Sequence, residues 1–174
     1  MRILGIDPGL GRCGFGLIET TSWARARAVD FGVITTTVDA TLPSRLKELY
    51  DSLQEVFRET RPEVVAVEKL FFAKNITTGI AVAEARGVVL LIAEQKGAKV
   101  FEYTPNEIKK SLAGYGAATK TQISEMVRIH LGLEKKPKPD DAADALAVAI
   151  TCSFLYDVSK EEEYKFSNSR KEKK

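Results

Sequence analysis

The sequence predicts an α/β domain in which helices flank a five-stranded mixed sheet in three layers. Two observations predict it. Short apolar runs near the start, separated by turn residues, indicate an antiparallel meander of three strands. Beyond them, apolar residues at helical spacing alternate with two further strand-like runs, which is typical of an α/β fold. The predicted order is three strands, then helix, strand, helix and strand, followed by helices.

The three runs of the meander are residues 3–6, 14–18 and 28–34. Apolar residues then recur at helical spacing from Ser44 until Pro62 closes the run, which predicts an amphipathic helix. The apolar run 64–67 is typical of a buried strand, and it carries Glu68 at its carboxyl end. The fourth predicted strand is therefore expected to end in an acid.

A long apolar helix is predicted over about residues 77–96, where Gly97 stops it, and a fifth strand over 98–103. Thr104 marks the start of the next helix, with proline at its first position and Glu107 placed for a capping box. The fifth strand therefore leads directly into a helix.

The last two helices are also marked by their start signals. Thr119 and Gln122 repeat the capping-box pattern. A Pro-Lys-Pro break then precedes an alanine-rich helix over about 140–156, and Asp140 is placed to be its N-cap. The sheet is thus followed by three helices.

Length and composition favour a single folded domain. The 174 residues predict one domain over 1–158 and a charged, flexible tail over 159–174, where no apolar period remains. Apolar residues make up 44% and charged residues 29%, which argues against a wholly disordered or fibrous chain. The formal charge of +2 is too small to identify a partner by itself.

Cysteine content and hydropathy predict a cytoplasmic protein. Cys13 and Cys152 are too few for a disulfide framework and are assigned to structure, which fits a reducing compartment. Asp7 stands where a signal peptide would still be apolar, so secretion is disfavoured. The most apolar stretch, residues 87–93, is too short for a membrane span.

Four acids are candidates for a common site. Asp7 and Glu68 each follow a predicted buried strand, where an unpartnered carboxylate is costly. Asp141 and Asp144 lie about one helical turn apart, so their side chains project from the same helix face. Small alanines around them allow that helix to approach the sheet closely. The four carboxylates can therefore converge in one crevice.

Convergence of these acids would call for bound cations. Like-charge repulsion would raise their proton affinity unless divalent cations neutralised them. Oxygen ligands with no nearby His or Cys favour Mg²⁺ or Mn²⁺ over Zn²⁺. Two such ions about 3.5 to 4 Å apart can activate water and stabilise the leaving oxygen in phosphodiester hydrolysis. The alternative for each acid taken singly is an ordinary cap, turn former or exposed charge.

Several motifs together resemble the RuvC family of Holliday-junction resolvases over roughly residues 2–156. They are Leu4-Gly5-Ile6-Asp7-Pro8-Gly9, Val67-Glu68, Phe71-Phe72-Ala73-Lys74-Asn75, Glu84-Ala85-Arg86-Gly87, Lys120-Thr121-Gln122 and Asp141-Ala142-Ala143-Asp144-Ala145-Leu146. Because they occur in the order that the family shows, the resemblance does not depend on any isolated position.

The resemblance implies an RNase H-like fold and a homodimer that makes Mg²⁺-dependent paired nicks across a four-way DNA junction in recombination and repair. The residues that match the family's catalytic and metal-binding acids are Asp7, Glu68, Asp141 and Asp144. We expect two Mg²⁺ ions per subunit, with Mn²⁺ as a substitute, and water as the nucleophile. The resemblance also suggests the branch-migration proteins RuvA and RuvB as partners.

Positive charge for DNA binding is concentrated in residues 104–138. Seven Lys or Arg against three Glu give this segment a formal charge of +4. Lys109 and Lys120 are candidates for phosphate contacts, and the resemblance points to both. The basic run at 135–138 fits an ordinary solvated surface equally well and is left out of the site.

The loop after Glu68 supplies further candidate DNA contacts. The ring of Phe71 could stack on a base exposed near the junction, although core packing is the rival interpretation for a phenylalanine. Lys74 and Asn75 are expected to help hold this loop on DNA. These three residues complete the predicted DNA-binding set with the two lysines named above.

Two further features can be explained by structural roles. Gly79, Ala83 and Gly87 recur every four residues and form a close-packing helix face that could serve either the sheet or a dimer. His130 has no second nitrogen ligand near it in sequence, so a structural or surface role is favoured over metal binding.

Two other function classes stay open. An actin-like nucleotide phosphotransferase would bind ATP through the Gly-rich turn at residues 7–11 and would require a second lobe, for which this chain is short. A non-catalytic junction-binding or scaffold module would need no acidic cluster. Metal-dependent, symmetric cleavage of a junction would separate the resolvase from both.

Overall fold

The computed structural model describes residues 1–22, 25–69 and 76–156, which form five strands and five helices. Within these ranges, no helix has the length and apolar character that a membrane span requires. The predicted tail over 159–174 lies outside the described residues, so the boundary at residue 158 stays a prediction.

The elements occur in the predicted order. The strands are β1 (Arg2–Asp7), β2 (Arg12–Ser22), β3 (Arg25–Thr35), β4 (Val64–Glu68) and β5 (Lys99–Tyr103). The helices are α1 (Leu42–Thr60), α2 (Ile76–Gln95), α3 (Pro105–Ala113), α4 (Lys120–His130) and α5 (Asp140–Leu155). Strands β2 and β3 are longer than their apolar runs because their antiparallel pairing continues into polar residues.

The sheet is mixed, with the strand order β3-β2-β1-β4-β5. Strand β1 pairs antiparallel with β2, which pairs antiparallel with β3 and completes the predicted meander. On its other side β1 pairs parallel with β4, and β4 with β5. Parallel neighbours need long crossovers, and α1 and α2 supply them.

The sheet separates two apolar cores, because alternate side chains of each strand point to opposite faces. The core beneath α1 and α2 includes Leu4, Ile6, Leu17, Leu49, Leu53, Val65, Val67, Val89 and Ile92. The core beneath α3, α4 and α5 includes Ile3, Ile18, Val64, Ala66, Ile108, Ile123, Val127, Leu146 and Ile150. The three-layer prediction is therefore confirmed.

Helix α5 lies directly against β1 and β2 because glycines remove side chains from the contact. A Cβ atom on Gly5 would lie 2.0 Å from the carbonyl oxygen of Ala145, and one on Gly14 would lie 2.1 Å from that of Asp141. The many alanines of α5 complete the close approach. The backbone of α5 is thus fixed against β2 at Asp141 and against β1 at the turn that follows Asp144.

Helix starts follow the sequence signals in two of three cases. Both predicted capping boxes are present, Thr104 with Glu107 and Thr119 with Gln122. The predicted N-cap role of Asp140 is wrong, because Pro139 occupies the cap position and no side-chain cap bond is made there. Asp140 already lies in the first helical turn, where its negative charge faces the positive end of the helix dipole.

Candidate active site

Asp7 and Glu68 end two neighbouring parallel strands. Ile6 pairs with Val67 in the sheet, so the next residue of each strand is an acid. Because the carboxyl ends of parallel strands meet at one edge of a sheet, the two carboxylates are brought together there. Both line the same cleft.

This cleft, which we call the acidic cleft, has a volume of about 300 Å³. It opens between the carboxyl edge of the sheet and helices α3, α4 and α5. Its described lining is Asp7, Glu68, Pro105, Ile108, Lys109, Lys120, Ile123, Asp144 and Ala147. Three acids and two lysines therefore face one space whose remaining walls are apolar.

Helix α5 contributes its two acids in different ways. Asp144 lines the acidic cleft itself. Asp141, about one turn earlier, is close enough to raise the pKa of Asp7 but is held by Arg12, whose Nε donates a 2.8 Å hydrogen bond to Asp141 Oδ2. The structure thus brings Asp7, Glu68 and Asp144 into one cleft and leaves Asp141 at its border.

Asp144 is also paired with a cation. Lys120 Nζ donates a 3.0 Å hydrogen bond to Asp144 Oδ2. This contact is the main reason that the pKa of Lys120 is raised above its ordinary value. Lys120 begins α4 and reaches across to α5, so it joins the two helices at the mouth of the cleft.

The pKa of Asp7 is raised from its ordinary value of 3.8 to about 7. The largest cause is burial, followed by the negative charges of Glu68, Asp144 and Asp141, and Lys120 offsets part of the effect. The pKa of Glu68 is also raised, first by burial and then by Asp144, against the lowering effect of Lys120 and Lys109. The cleft thus concentrates more negative charge than its own lysines neutralise.

The donor set fits a hard divalent cation. The acidic groups of the described lining are carboxylates, and neither His nor Cys stands among them. Among the described residues, no three Asp, Glu, His or Cys side chains are already arranged as a complete metal site. Salt bridges to Arg12 and Lys120 hold two of the acids, Asp141 and Asp144. A divalent cation would offset the repulsion among the carboxylates, which adds to the effect of burial in raising the pKa of Asp7.

The predicted DNA-binding residues divide into two groups. Lys109 and Lys120 line the acidic cleft, beside the acids that they were expected to accompany. Phe71, Lys74 and Asn75 lie outside the described residues. Sequence reasoning missed Arg12, which follows the Gly-rich turn after Asp7 and grips Asp141. The sequence carried no signal for this pairing, because Arg12 and Asp141 lie 129 positions apart in the chain.

Asp7→Asn is expected to stabilise the fold at high pH when divalent cations are chelated. Below pH 3.8 the carboxyl group is protonated in both folded and unfolded chains, whereas above pH 7 the folded chain must bury its charge. The free energy of unfolding of the wild type therefore falls between these pH values. A pKa rise of roughly three corresponds to at most about 4 kcal/mol, which the variant recovers. Urea unfolding in EDTA at pH 4 and pH 8 measures this gain.

Asp39→Asn is the matched control, because Asp39 is exposed in the turn before α1. Its effect on the free energy of unfolding should be small at both pH values, because its side chain is exposed. A variant of Asp7 that is no more stable than the wild type at pH 8 would contradict the burial of a charged group in the cleft.

The fold and the site together define a class of protein. An antiparallel meander continued by two parallel strands, with an acid on β1, another on β4 and a third from α5, is the arrangement of an RNase H-like nuclease. The family model described as Crossover junction endodeoxyribonuclease RuvC matches residues 3–152. The chain belongs to the RuvC family.

Individual relatives agree with the family match. The RuvC protein of Brevibacillus brevis is 48% identical over 151 residues, which cover 87% of this chain and 90% of that protein. The RuvC protein of Thermotoga petrophila is 52% identical over 149 residues, or 86% and 90% of the two chains. A solved structure of T. thermophilus RuvC in complex with Holliday junction substrate has 36% identity and a TM-score of 0.85, and covers 90% and 94%.

Family membership fixes the general activity. The RuvC family consists of crossover junction endodeoxyribonucleases, which are metal-dependent enzymes that resolve Holliday junctions. The chain is accordingly a nuclease of this kind.

Proposed function

We propose that this chain cleaves four-way DNA junctions by paired, symmetric hydrolysis of phosphodiester bonds, with two Mg²⁺ ions per subunit and water as the nucleophile. The observation that carries the proposal is the meeting of Asp7, Glu68 and Asp144 in one cleft, with Lys109 and Lys120 in the same wall. Mn²⁺ is expected to substitute for Mg²⁺, because oxygen donors suit both ions.

The acids are assigned as the cation ligands. Asp7 and Glu68 come from adjacent strand ends, and Asp144 approaches from α5 on the other side. Asp141 is the fourth ligand in this proposal, which requires that it leave Arg12. When bound, the cations supply charge that activates a water molecule and stabilises the leaving oxygen. An in-line attack leaves a 5′-phosphate and a 3′-hydroxyl group.

The two lysines are assigned to the DNA backbone. Lys109 and Lys120 lie in the wall of the cleft, where an ammonium group can neutralise a phosphate oxygen beside the scissile bond. Lys120 is 78% exposed along its side chain, so it can exchange Asp144 for a phosphate without being drawn out of a core. The adjoining loop residues Phe71, Lys74 and Asn75 remain proposed contacts.

Two cuts related by symmetry require two cleavage sites related by symmetry, which a homodimer provides. The small-residue face of α2 supports this part of the proposal. Gly87 is exposed, and a Cβ atom on it would meet no atom within 4 Å, so at Gly87 this face does not serve the sheet. Ile80 and Leu91, seven positions before it and four after it, are each 53% exposed.

A cytoplasmic location and the partners RuvA and RuvB belong to the same proposal.

The experiment compares a mobile four-way junction with a linear duplex of the same sequence, with and without Mg²⁺, and maps every cut. We expect paired nicks at symmetric positions in the junction only, and only with the cation. A chain that binds the junction with Mg²⁺ present but never cuts it would be a junction-binding scaffold. Junction-independent hydrolysis of ATP would instead favour a nucleotide phosphotransferase. Either result would overturn the proposal.

A further inference from the structure

A second hollow adjoins the acidic cleft. It has a volume of about 140 Å³ and lies between the start of α4, the segment before α5 and the first turns of α5. Its described lining is Lys120, Thr121, Ser124, Lys136, Pro137, Lys138, Asp140, Ala143 and Asp144. We call it the basic hollow, because it contains three lysines.

The basic hollow and the acidic cleft share a wall. Lys120 and Asp144 line both, so their salt bridge separates the two spaces. Lys109 lines only the acidic cleft, whereas Lys136 and Lys138 line only the basic hollow. The lysines therefore form a row that runs past the carboxylates, with Lys120 in the middle. A row of cations beside a cleavage site matches the repeating charge of a DNA strand.

We propose that the basic hollow holds a backbone phosphate of the cleaved strand next to the scissile one, with Lys138 and Lys136 as its charged contacts. This inference rests on the proposed function, because it requires that a DNA strand lies in the acidic cleft. Such a strand must continue beyond the cleft, and the basic hollow adjoins it. The neighbouring phosphate of the same strand is therefore the occupant that we propose for the hollow. The hydroxyl groups of Thr121 and Ser124, in the same lining, are additional hydrogen-bond donors to phosphate oxygen.

The charges around the basic hollow leave the lysines available. Lys136 Nζ lies 3.4 Å from Glu125, but Arg128 contacts the same carboxylate at 2.7 Å, so Glu125 is shared. Asp140 lines the hollow as well, and it lies in the first turn of α5, where the helix dipole already compensates part of its charge. A phosphate therefore meets a net positive surface.

Binding of the DNA strand and the cations would increase the positive charge that the basic hollow presents. Lys120 is compensated by Asp144 in their salt bridge. Once Asp144 serves as a cation ligand in the proposed mechanism, it no longer compensates Lys120, whose charge then faces DNA at the boundary of the two spaces. The first turn of the 11-residue helix α4, in the same wall, adds the positive end of its dipole.

The test is the salt dependence of junction binding, measured in EDTA so that no cleavage occurs. For the double variant Lys136→Gln/Lys138→Gln, we expect the slope of log Kd against log salt to fall by about 0.7 to 0.9, which is the contribution of one phosphate contact. At about 0.1 M salt, Kd should rise roughly 5- to 8-fold. Lys138→Gln alone should give the smaller part of the same change.

Lys135→Gln is the matched control. Lys135 is exposed, carries the same charge and lies outside the described lining of both spaces. It should change the slope by less than about 0.3, because Lys135 lines neither space and makes no phosphate contact in this proposal. A double variant that binds with the slope and affinity of the Lys135 variant would overturn the inference, as would a Lys138 variant with the wild-type slope.

A second measurement locates the phosphate. Single uncharged methylphosphonate linkages are placed at each of the three positions on either side of the cut. One position should weaken binding by the wild type but should not weaken binding by the double variant any further. If losses simply add at all six positions, the basic hollow does not hold a phosphate near the cut.

Cleavage distinguishes a failure of this inference from a failure of the proposed function. With Mg²⁺, the double variant should show a raised KM for the junction and a nearly unchanged kcat, because its cation ligands are intact. If the wild type cuts the junction and the double variant matches the Lys135 control, only the basic hollow is wrongly assigned. If the wild type does not cut at all, the proposed function itself fails.

Discussion

Asp7→Asn is expected to lower the rate of junction cleavage at least about 1,000-fold, a loss of roughly 4 kcal/mol of transition-state stabilisation. Asp7 lies at the end of the central strand and lines the same cleft as Glu68 and Asp144, so an amide there removes a charge from the proposed cation site. Junction affinity in EDTA should stay within about 3-fold of wild type, because proposed phosphate contacts come from lysines. Single-turnover cleavage and a binding titration measure the two effects.

The stability of this variant excludes a trivial explanation of its inactivity. Asp7→Asn should fold at least as well as the wild type at neutral pH, because it removes a buried charge whose pKa is raised. Asp39→Asn, the exposed control, should cleave at the wild-type rate. Cleavage by the Asp7 variant at more than about a tenth of the wild-type rate would contradict the assignment of Asp7 as a cation ligand.

Gly5→Ala is expected to lower the free energy of unfolding by about 2 kcal/mol or more and to cut the cleavage rate about 100-fold. Its new Cβ atom would lie 2.0 Å from the carbonyl oxygen of Ala145 and 2.8 Å from the amide nitrogen of Ala149. Both are backbone atoms of α5, so the helix must move as a unit. That movement would carry Asp144 away from Asp7 and Glu68.

Gly11→Ala is the matched control for this substitution. Gly11 lies in the turn between β1 and β2, and the nearest atom to a Cβ there is the end of the Arg45 side chain at 3.4 Å. It should retain wild-type stability to within about 0.5 kcal/mol. Thermal unfolding and cleavage assays report both quantities, and a Gly5 variant as stable and active as the Gly11 variant would show that α5 is not held rigidly against β1.

Local signals in the sequence predicted the elements well because their causes are local. The capping boxes at Thr104 and Thr119 are each contained within four residues, and both form. The run before Glu68 is apolar at every position, as a strand buried on both faces must be, and it became β4. Asp140 was the exception, because whether a residue caps a helix or starts it depends on the backbone of a proline-containing segment.

Long-range features of the site could be predicted only in part. The acids themselves were found because buried strand ends and a helical turn spacing restrict where they point. The grip of Arg12 on Asp141 joins residues 129 positions apart, and nothing local in either segment indicates it. Lys136 and Lys138 were left out of the site because a basic run fits a solvated surface equally well, and the hollow that they line exists only after the segment before α5 has folded beside α4.

The wide separation of the site acids in the chain has a consequence for synthesis. A ribosome delivers Asp7 with the first strand, and by the end of β5 the nascent polypeptide contains the whole sheet and Glu68. Until α5 emerges, however, Gly5 and Gly14 leave the centre of one sheet face bare, and Asp144 has not been made. The helix that seals this face is also the one that completes the acidic cleft. If the acids act as proposed, chains that lack α5 should be unable to nick DNA, and cleavage becomes possible only once the last helix has closed the fold.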